Sequence, residues 1–250
     1  MRYESRIRSV VLIRRRKEGV IEPWGNGVFV VCEERLYLVT CRHLVRSDLP
    51  VKHGRFDLSE KLFLRLKLQA TGDYEDHEVE TLSPRRWRTT ATLKDVADIV
   101  VVELPSDIQL RFDVIGFEAA ELQTEPPNIG TNIRILELHS GVNQAITYND
   151  IDASTGSLED ESQALINNAS APISFGHSGS LVYRVIDNNG LKREAIDQKY
   201  IQAVGIVVGA RKFGGMRPEM VLFTRVLPIL RVWEDYLEEN GVEIKKNEIS

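Results

Sequence analysis

The chain has 250 residues, a formal net charge of -5, and 42% hydrophobic against 28% charged residues, the ordinary balance of a globular protein large enough to bury a core without disulfides. Its acidity gives no global reason to expect a nucleic-acid partner, and no stretch approaches the roughly 18 apolar residues of a membrane-spanning helix. Two cysteines, Cys32 and Cys41, are too few for a disulfide scaffold and lack metal-ligand spacing. They read as free thiols, and without an apolar leader after Met1 the expected setting is cytoplasmic.

Charge is unevenly placed: Met1 to Val20 holds seven basic and two acidic residues, densest at Arg14-Arg15-Arg16-Lys17. That run reads as a solvated basic turn between strands. Short β-branched runs separated by polar turns dominate the chain. They fall at Ser9–Ile13, at Gly27–Cys32 and Leu36–Thr40 (a hairpin through Glu33-Glu34-Arg35), at Leu62–Leu68, and at Ile99–Leu104. The stretch Glu118–Gly130, with its tandem prolines, suits an exposed crossing between two halves. Further strands are expected at Ile133–Leu138, Ser180–Ile186, Ile201–Val208 and Met220–Thr224, and the polar stretch Asn143–Asn168 reads as an insertion or long hairpin outside the core. Val226, Leu230, Trp233 and Leu237 form an apolar stripe at helical spacing, so a terminal helix is expected from about 226.

Three segments carry chemistry. Gly176-His177-Ser178-Gly179-Ser180 offers a hydroxyl in a turn whose glycines permit a backbone path that aims N–H groups at an oxyanion. Alone the string is a weak signal, which a loop between strands explains equally well. His43, in Val39-Thr40-Cys41-Arg42-His43-Leu44, follows a buried strand and can be held rigidly with one edge open, as a general base requires. Asp98 stands at the mouth of the strand Ile99–Leu104, where a carboxylate needs a partner; Asp95 is the alternative acid.

In this order and context the segments resemble the trypsin-like serine peptidases, in particular compact prokaryotic members such as the protease domain of the high-temperature-requirement family. The resemblance rests on Gly25-Asn26-Gly27-Val28-Phe29-Val30, on Val39-Thr40 ahead of His43, on Asp98 opening Ile99-Val100-Val101-Val102, on Gly176 to Ser180, and on Ala203-Val204-Gly205-Ile206-Val207. It covers roughly Ser9 to Glu239. It implies an all-β fold of two six-stranded antiparallel barrels with a C-terminal α-helix. Residues 1–120 would carry His43 and Asp98, and residues 121–250 would carry Ser178. The implied activity is a serine endopeptidase working through an acyl-enzyme: Ser178 attacks, His43 takes its proton, Asp98 orients the ring, and Gly176 and Ser178 N–H groups form the oxyanion hole.

Two departures qualify it. His177 replaces the acidic residue that in digestive relatives pairs with a newly cut N-terminus, so the expected enzyme is competent from the start or assembled by an activating protein partner. The segments matching the primary pocket, Ala171, Pro172, Ile173 and Val208, Gly209, Ala210, contain no acid, which removes the basis for Lys or Arg preference and favours a small or medium apolar side chain. Polypeptide is the expected substrate, with no nucleic acid, no membrane, no metal and no cofactor. The other reading is a silent two-barrel module that binds peptide or protein. An α/β-hydrolase is excluded by chain order, since that fold expects serine, acid, histidine.

Overall fold

The computed structural model describes residues 1–32, 34–45, 62–79, 87–88, 91–92, 95–96, 98–140, 146–160, 163–173, 176–186, 199–211 and 217–226. A 3₁₀ segment, Tyr3–Ser9, precedes β1 (Val10–Lys17), β2 (Val20–Cys32) and β3 (Arg35–Thr40). The four-residue helix α1 (Arg42–Val45) then leads to β4 (Leu62–Lys67), β5 (Tyr74–Val79), β6 (Trp87–Arg88), β7 (Ala91–Thr92), β8 (Asp95–Val96) and β9 (Val100–Glu103). After α2 (Ile108–Arg111) and β10 (Phe117–Glu118) come β11 (Asn132–Ser140), β12 (Ile146–Asp160), β13 (Gln163–Asn167), β14 (Leu181–Ile186), β15 (Tyr200–Arg211) and β16 (Arg217–Leu222).

The expectation of two closed barrels is corrected. One barrel closes, in the order β11-β12-β13-β16-β15-β14; the earlier strands form an open sheet along β5-β4-β1-β2-β3-β9-β6, with β10 beside β2. The edges explain why it stays open among the described residues. β6 offers only two residues, both paired to β9, and β5, Tyr-Glu-Asp-His-Glu-Val, is a short charged strand of the kind that blunts an edge against further pairing. The expected terminal helix lies outside the described residues past Val226. Among the described residues no α-helix exceeds four residues, and none is long and apolar enough to cross a membrane.

Two further readings change. Asn143–Asn168 does include a long antiparallel hairpin, β12 with β13, but it does not lie outside the core: β12 also pairs along the whole of β11, and Ile151, Ala153, Ala164 and Ile166 are buried in the barrel core. The basic run is not a turn either. Its residues lie in β1, where Arg14 is buried against Asp76 at 2.7 Å and Arg15 pairs with Glu22 and stacks on the Trp24 ring. Long basic side chains bury their stems well when a carboxylate or an aromatic face receives the head.

The larger core cluster joins the two sheets. It runs from Ile13, Phe29 and Val39 through Leu136, Leu181 and Phe223. A polar tie adds to it: Asp150 of β12 accepts from Arg6 at 2.6 Å, Tyr183 at 2.7 Å and Tyr3 at 3.1 Å, fastening the 3₁₀ segment to the barrel.

Candidate active site

His43 sits on α1, immediately after β3. That helix is pinned by Trp24, whose Nε1 donates to Leu44 O at 2.9 Å, and by the Arg42 N–H, which donates to Asp98 O at 3.4 Å. Asp98 lies just before β9, which pairs with β3, so strand pairing delivers the carboxylate to the helix. Its Oδ1 accepts the backbone N–H of His43 at 3.0 Å, and its Oδ2 meets the ring Nδ1. The side chain of Asp95 lies outside what is described. On the other edge of the ring, Nε2 is 3.1 Å from Ser178 Oγ. His43 is about half open to solvent and Ser178 is buried.

Ser178 is presented by a turn that only glycine permits. Gly176 has φ +105° and Gly179 φ +81°, and a Cβ on Gly179 would stand 1.8 Å from Asn26 O. Gly179 N–H donates to Val207 O at 2.7 Å and Ser180 N–H to His177 O at 2.9 Å. Gly176 is exposed, with open space where a side chain would stand.

A thiol belongs to the same cluster. Ligand atoms of Cys41, His43 and Asp98 lie within 4.8 Å of one another, close enough to share a metal ion. This corrects the serine endopeptidase reading: the His43–Asp98 pair sits in a Cys–His–Asp cluster, which a mechanism assigned to serine alone leaves out. The physical state of the thiol is also clear. Cys41 is fully buried, its Sγ donates to Val207 O at 3.1 Å, and burial, together with the charge of Asp98, pushes its pKa well up, so the sulfur is held protonated.

The expected pocket residues separate. Ala171 and Pro172 are exposed and line a cavity of about 380 Å³ with Glu137, His139, Asn149 and His177. Ile173 packs on the barrel core and Val208 on the larger core, while Gly209 and Ala210 are paired to Glu219 and Pro218 along β15–β16. The cavity is therefore more polar than the sequence suggested. Glu137 Oε2 lies 2.8 Å from both His139 Nε2 and His177 Nε2, and both Glu137 and His177 are buried. His177 thus faces a carboxylate from β11.

Sequence reasoning missed Glu137 and Asn26. Glu137 interrupts an apolar run, Ile-Leu-Glu-Leu, where a buried charge needs a partner. Asn26 stands between two glycines inside a strand, a sign of close backbone approach.

No protein-family model matches the chain, and no curated protein matches it. Solved structures do. Catalytically active tobacco etch virus protease complexed with product superposes with a TM-score of 0.56 at 12% identity, over 94% of this chain and 82% of that one. The fold is chymotrypsin-like. The MamO protease domain from Magnetospirillum magneticum, in its apo form, superposes with a TM-score of 0.52 at 14% identity, over 92% and 99% of the two chains. A serine endoprotease from Yersinia pestis gives 0.51 at 13% identity, over 94% and 65%. Within this chymotrypsin-like chain the described residues close one of the two sheets.

Proposed function

We propose that this chain hydrolyses peptide bonds, with His43 as general base and acid and Asp98 as the group that orients it. The observation that carries the proposal is the position of the imidazole: Nδ1 on a carboxylate that also holds the backbone of the same residue, and Nε2 facing a side chain able to attack. In such an arrangement Nε2 takes the proton of the nucleophile as it adds to the carbonyl carbon, then returns it to the departing amine as the tetrahedral intermediate collapses to an acyl-enzyme. Water repeats the cycle. The N–H groups of Gly176 and Ser178 are the proposed oxyanion donors, each worth about 3 kcal/mol in the transition state. Polypeptide as substrate is supported by the similar structures that are themselves proteases. The finer likeness to the high-temperature-requirement type rests on motif order alone.

Two groups near the ring are the candidate nucleophiles: the Ser178 hydroxyl, 3.1 Å from Nε2, and the Cys41 thiol, within 4.8 Å of a ring nitrogen. The thiol attacks only after leaving its bond to Val207 O and losing its proton. The deciding experiment incubates the wild-type chain, His43→Ala, Cys41→Ala and Ser178→Ala with a proteome-derived peptide mixture and an acylating probe, with peptide mapping of the adduct. Cleavage by the wild type that vanishes in His43→Ala supports the proposal, and the residue bearing the adduct is the nucleophile. Neither cleavage nor adduct in the wild type would overturn it and leave a peptide-binding module.

A further inference from the structure

The turn that carries Ser178 is held by a residue from the other sheet. Asn26 of β2 is 1% exposed and makes four hydrogen bonds. Its backbone N–H donates to Ser178 O at 2.8 Å, and its backbone O accepts from Thr40 Oγ1 at 2.6 Å. Its side-chain Nδ2 donates to Gly176 O at 2.9 Å, and its Oδ1 accepts from Leu138 N–H at 3.0 Å. One step back along β11, the Glu137 carboxylate meets His177, the residue between Gly176 and Ser178.

We infer that Asn26 is a positioning residue, which together with Glu137 braces the Gly176–Ser178 turn in the form that aims its peptide N–H groups at the reacting carbonyl. The inference rests on the hydrolase reading above for its catalytic consequence, but the brace itself stands on geometry.

Gly176 needs such a brace. At φ +105° with no described atom beyond its chain neighbours within 4 Å of a Cβ position, it has no side chain of its own to fix the peptide that joins it to His177. That peptide links the two that carry the Gly176 and Ser178 N–H groups, so rotating it would shift the donors on either side, and errors of an ångström cost catalysis heavily. Holding its carbonyl removes that freedom. The job also selects the residue type. A planar amide carries a donor and an acceptor a fixed distance apart, so Asn26 gives a proton to Gly176 O while taking one from Leu138 N–H. An aspartate of the same shape keeps the second bond and turns the first into a contact between two acceptors. Because β2 and β11 belong to different sheets, the brace also ties the competence of the turn to the docking of the two halves.

The test compares wild type, Asn26→Asp and Asn26→Gly, the last keeping both backbone bonds and removing only the side chain. Two readouts are taken. Amide hydrogen exchange is followed at His177 and Ser178, with β12 and β13 as internal reference. Steady-state hydrolysis of a peptide found to be cleaved by the wild type is followed in parallel. Both variants are expected to exchange at the turn at least about tenfold faster with the reference strands unchanged. In both, kcat is expected to fall about 10- to 100-fold with KM within about threefold. Unchanged exchange at the turn in both variants overturns the brace, and so does a rise spread equally over β12 and β13, which marks a general structural role. Faster turn exchange with unchanged kcat overturns the positioning role. A wild type without hydrolysis refutes the proposed function instead, and the exchange result still decides whether the brace exists.

Discussion

Asp98 grips His43 twice, once through the backbone N–H at Oδ1 and once through the ring at Oδ2. The double contact fixes the short helix and the aim of the imidazole together, since the carboxylate that meets the ring is itself held in place by the backbone N–H of the same residue. It also sets the tautomer: Nδ1 bears the proton facing the carboxylate, which leaves Nε2 free to accept one.

Asp98→Asn is therefore expected to keep the fold while presenting an amide that stabilises the wrong tautomer. Peptide hydrolysis near neutral pH should fall about 10⁴-fold, with the melting temperature changed by only a few degrees. Steady-state kinetics alongside thermal melts check this, and an unchanged kcat would remove Asp98 from the acid–base pair.

The thiol of Cys41 gives a second expectation. Burial, with Asp98 nearby, raises its pKa in the folded chain above the ordinary 9.0, so the unfolded chain loses this proton first as pH rises. The stability it contributes is full below about pH 9 and is lost progressively above that value. Urea midpoints measured from about pH 7 to pH 10 should fall more steeply for wild type than for Cys41→Ala. Folded wild type should also react with a thiol reagent at Cys41 only on the timescale of opening. Rapid modification at neutral pH would contradict this state of the sulfur.

Gly179 and Gly130 have nearly the same backbone angle, φ +81° and +82°, in opposite surroundings. A Cβ on Gly179 meets Asn26 O at 1.8 Å, whereas one on Gly130 meets nothing within 4 Å. Gly130→Ala should cost about 1 kcal/mol, the strain of the angle alone. Gly179→Ala should cost at least about 4 kcal/mol or prevent folding, because a backbone carbonyl cannot move aside. Paired urea denaturation curves distinguish the two, and equal costs would mean that the close approach is not present.

Asp150 supplies an acid-side prediction. Burial alone would raise its pKa, but the hydrogen bonds from Arg6 and Tyr183 outweigh that and hold it below the ordinary 3.8. A depressed carboxylate stabilises the fold above its unfolded pKa and loses that contribution as pH falls through the folded value. Asp150→Asn should be less stable than wild type by about 1 to 3 kcal/mol near pH 6, and the gap should narrow below about pH 3.8. Urea midpoints across that range check it; a constant gap would show that the bonds do not depend on the charge.

The segments of the site were legible because each carries a local signal: glycines around Ser178, a buried strand ahead of His43, an apolar run behind Asp98. What was not legible depends on distant partners. β12 looked like an insertion because Thr147, Asn149, Asp150 and Asp152 crowd it, and only pairing with β11 shows that Ile151 and Ala153 point into a core. Arg14 looked solvated because nothing nearby in sequence announces Asp76. Barrel closure is likewise a matter of which edges meet, and β5 is too charged and β6 too short to advertise either outcome. Cys41 stands only two residues before His43, yet its place in the cluster follows from the bend between β3 and α1.

The bond from Cys41 Sγ to Val207 O spans 166 residues, and the Gly179 N–H shares the same carbonyl. A chain leaving the ribosome in order makes His43 and Asp98 early, long before the strand that seats the turn beside them exists. Only when β15 has been synthesised and laid in place can that one oxygen gather the thiol and the turn to either side of it. Assembly of the site is thus a late event in the life of each molecule, timed by the far end of the described fold.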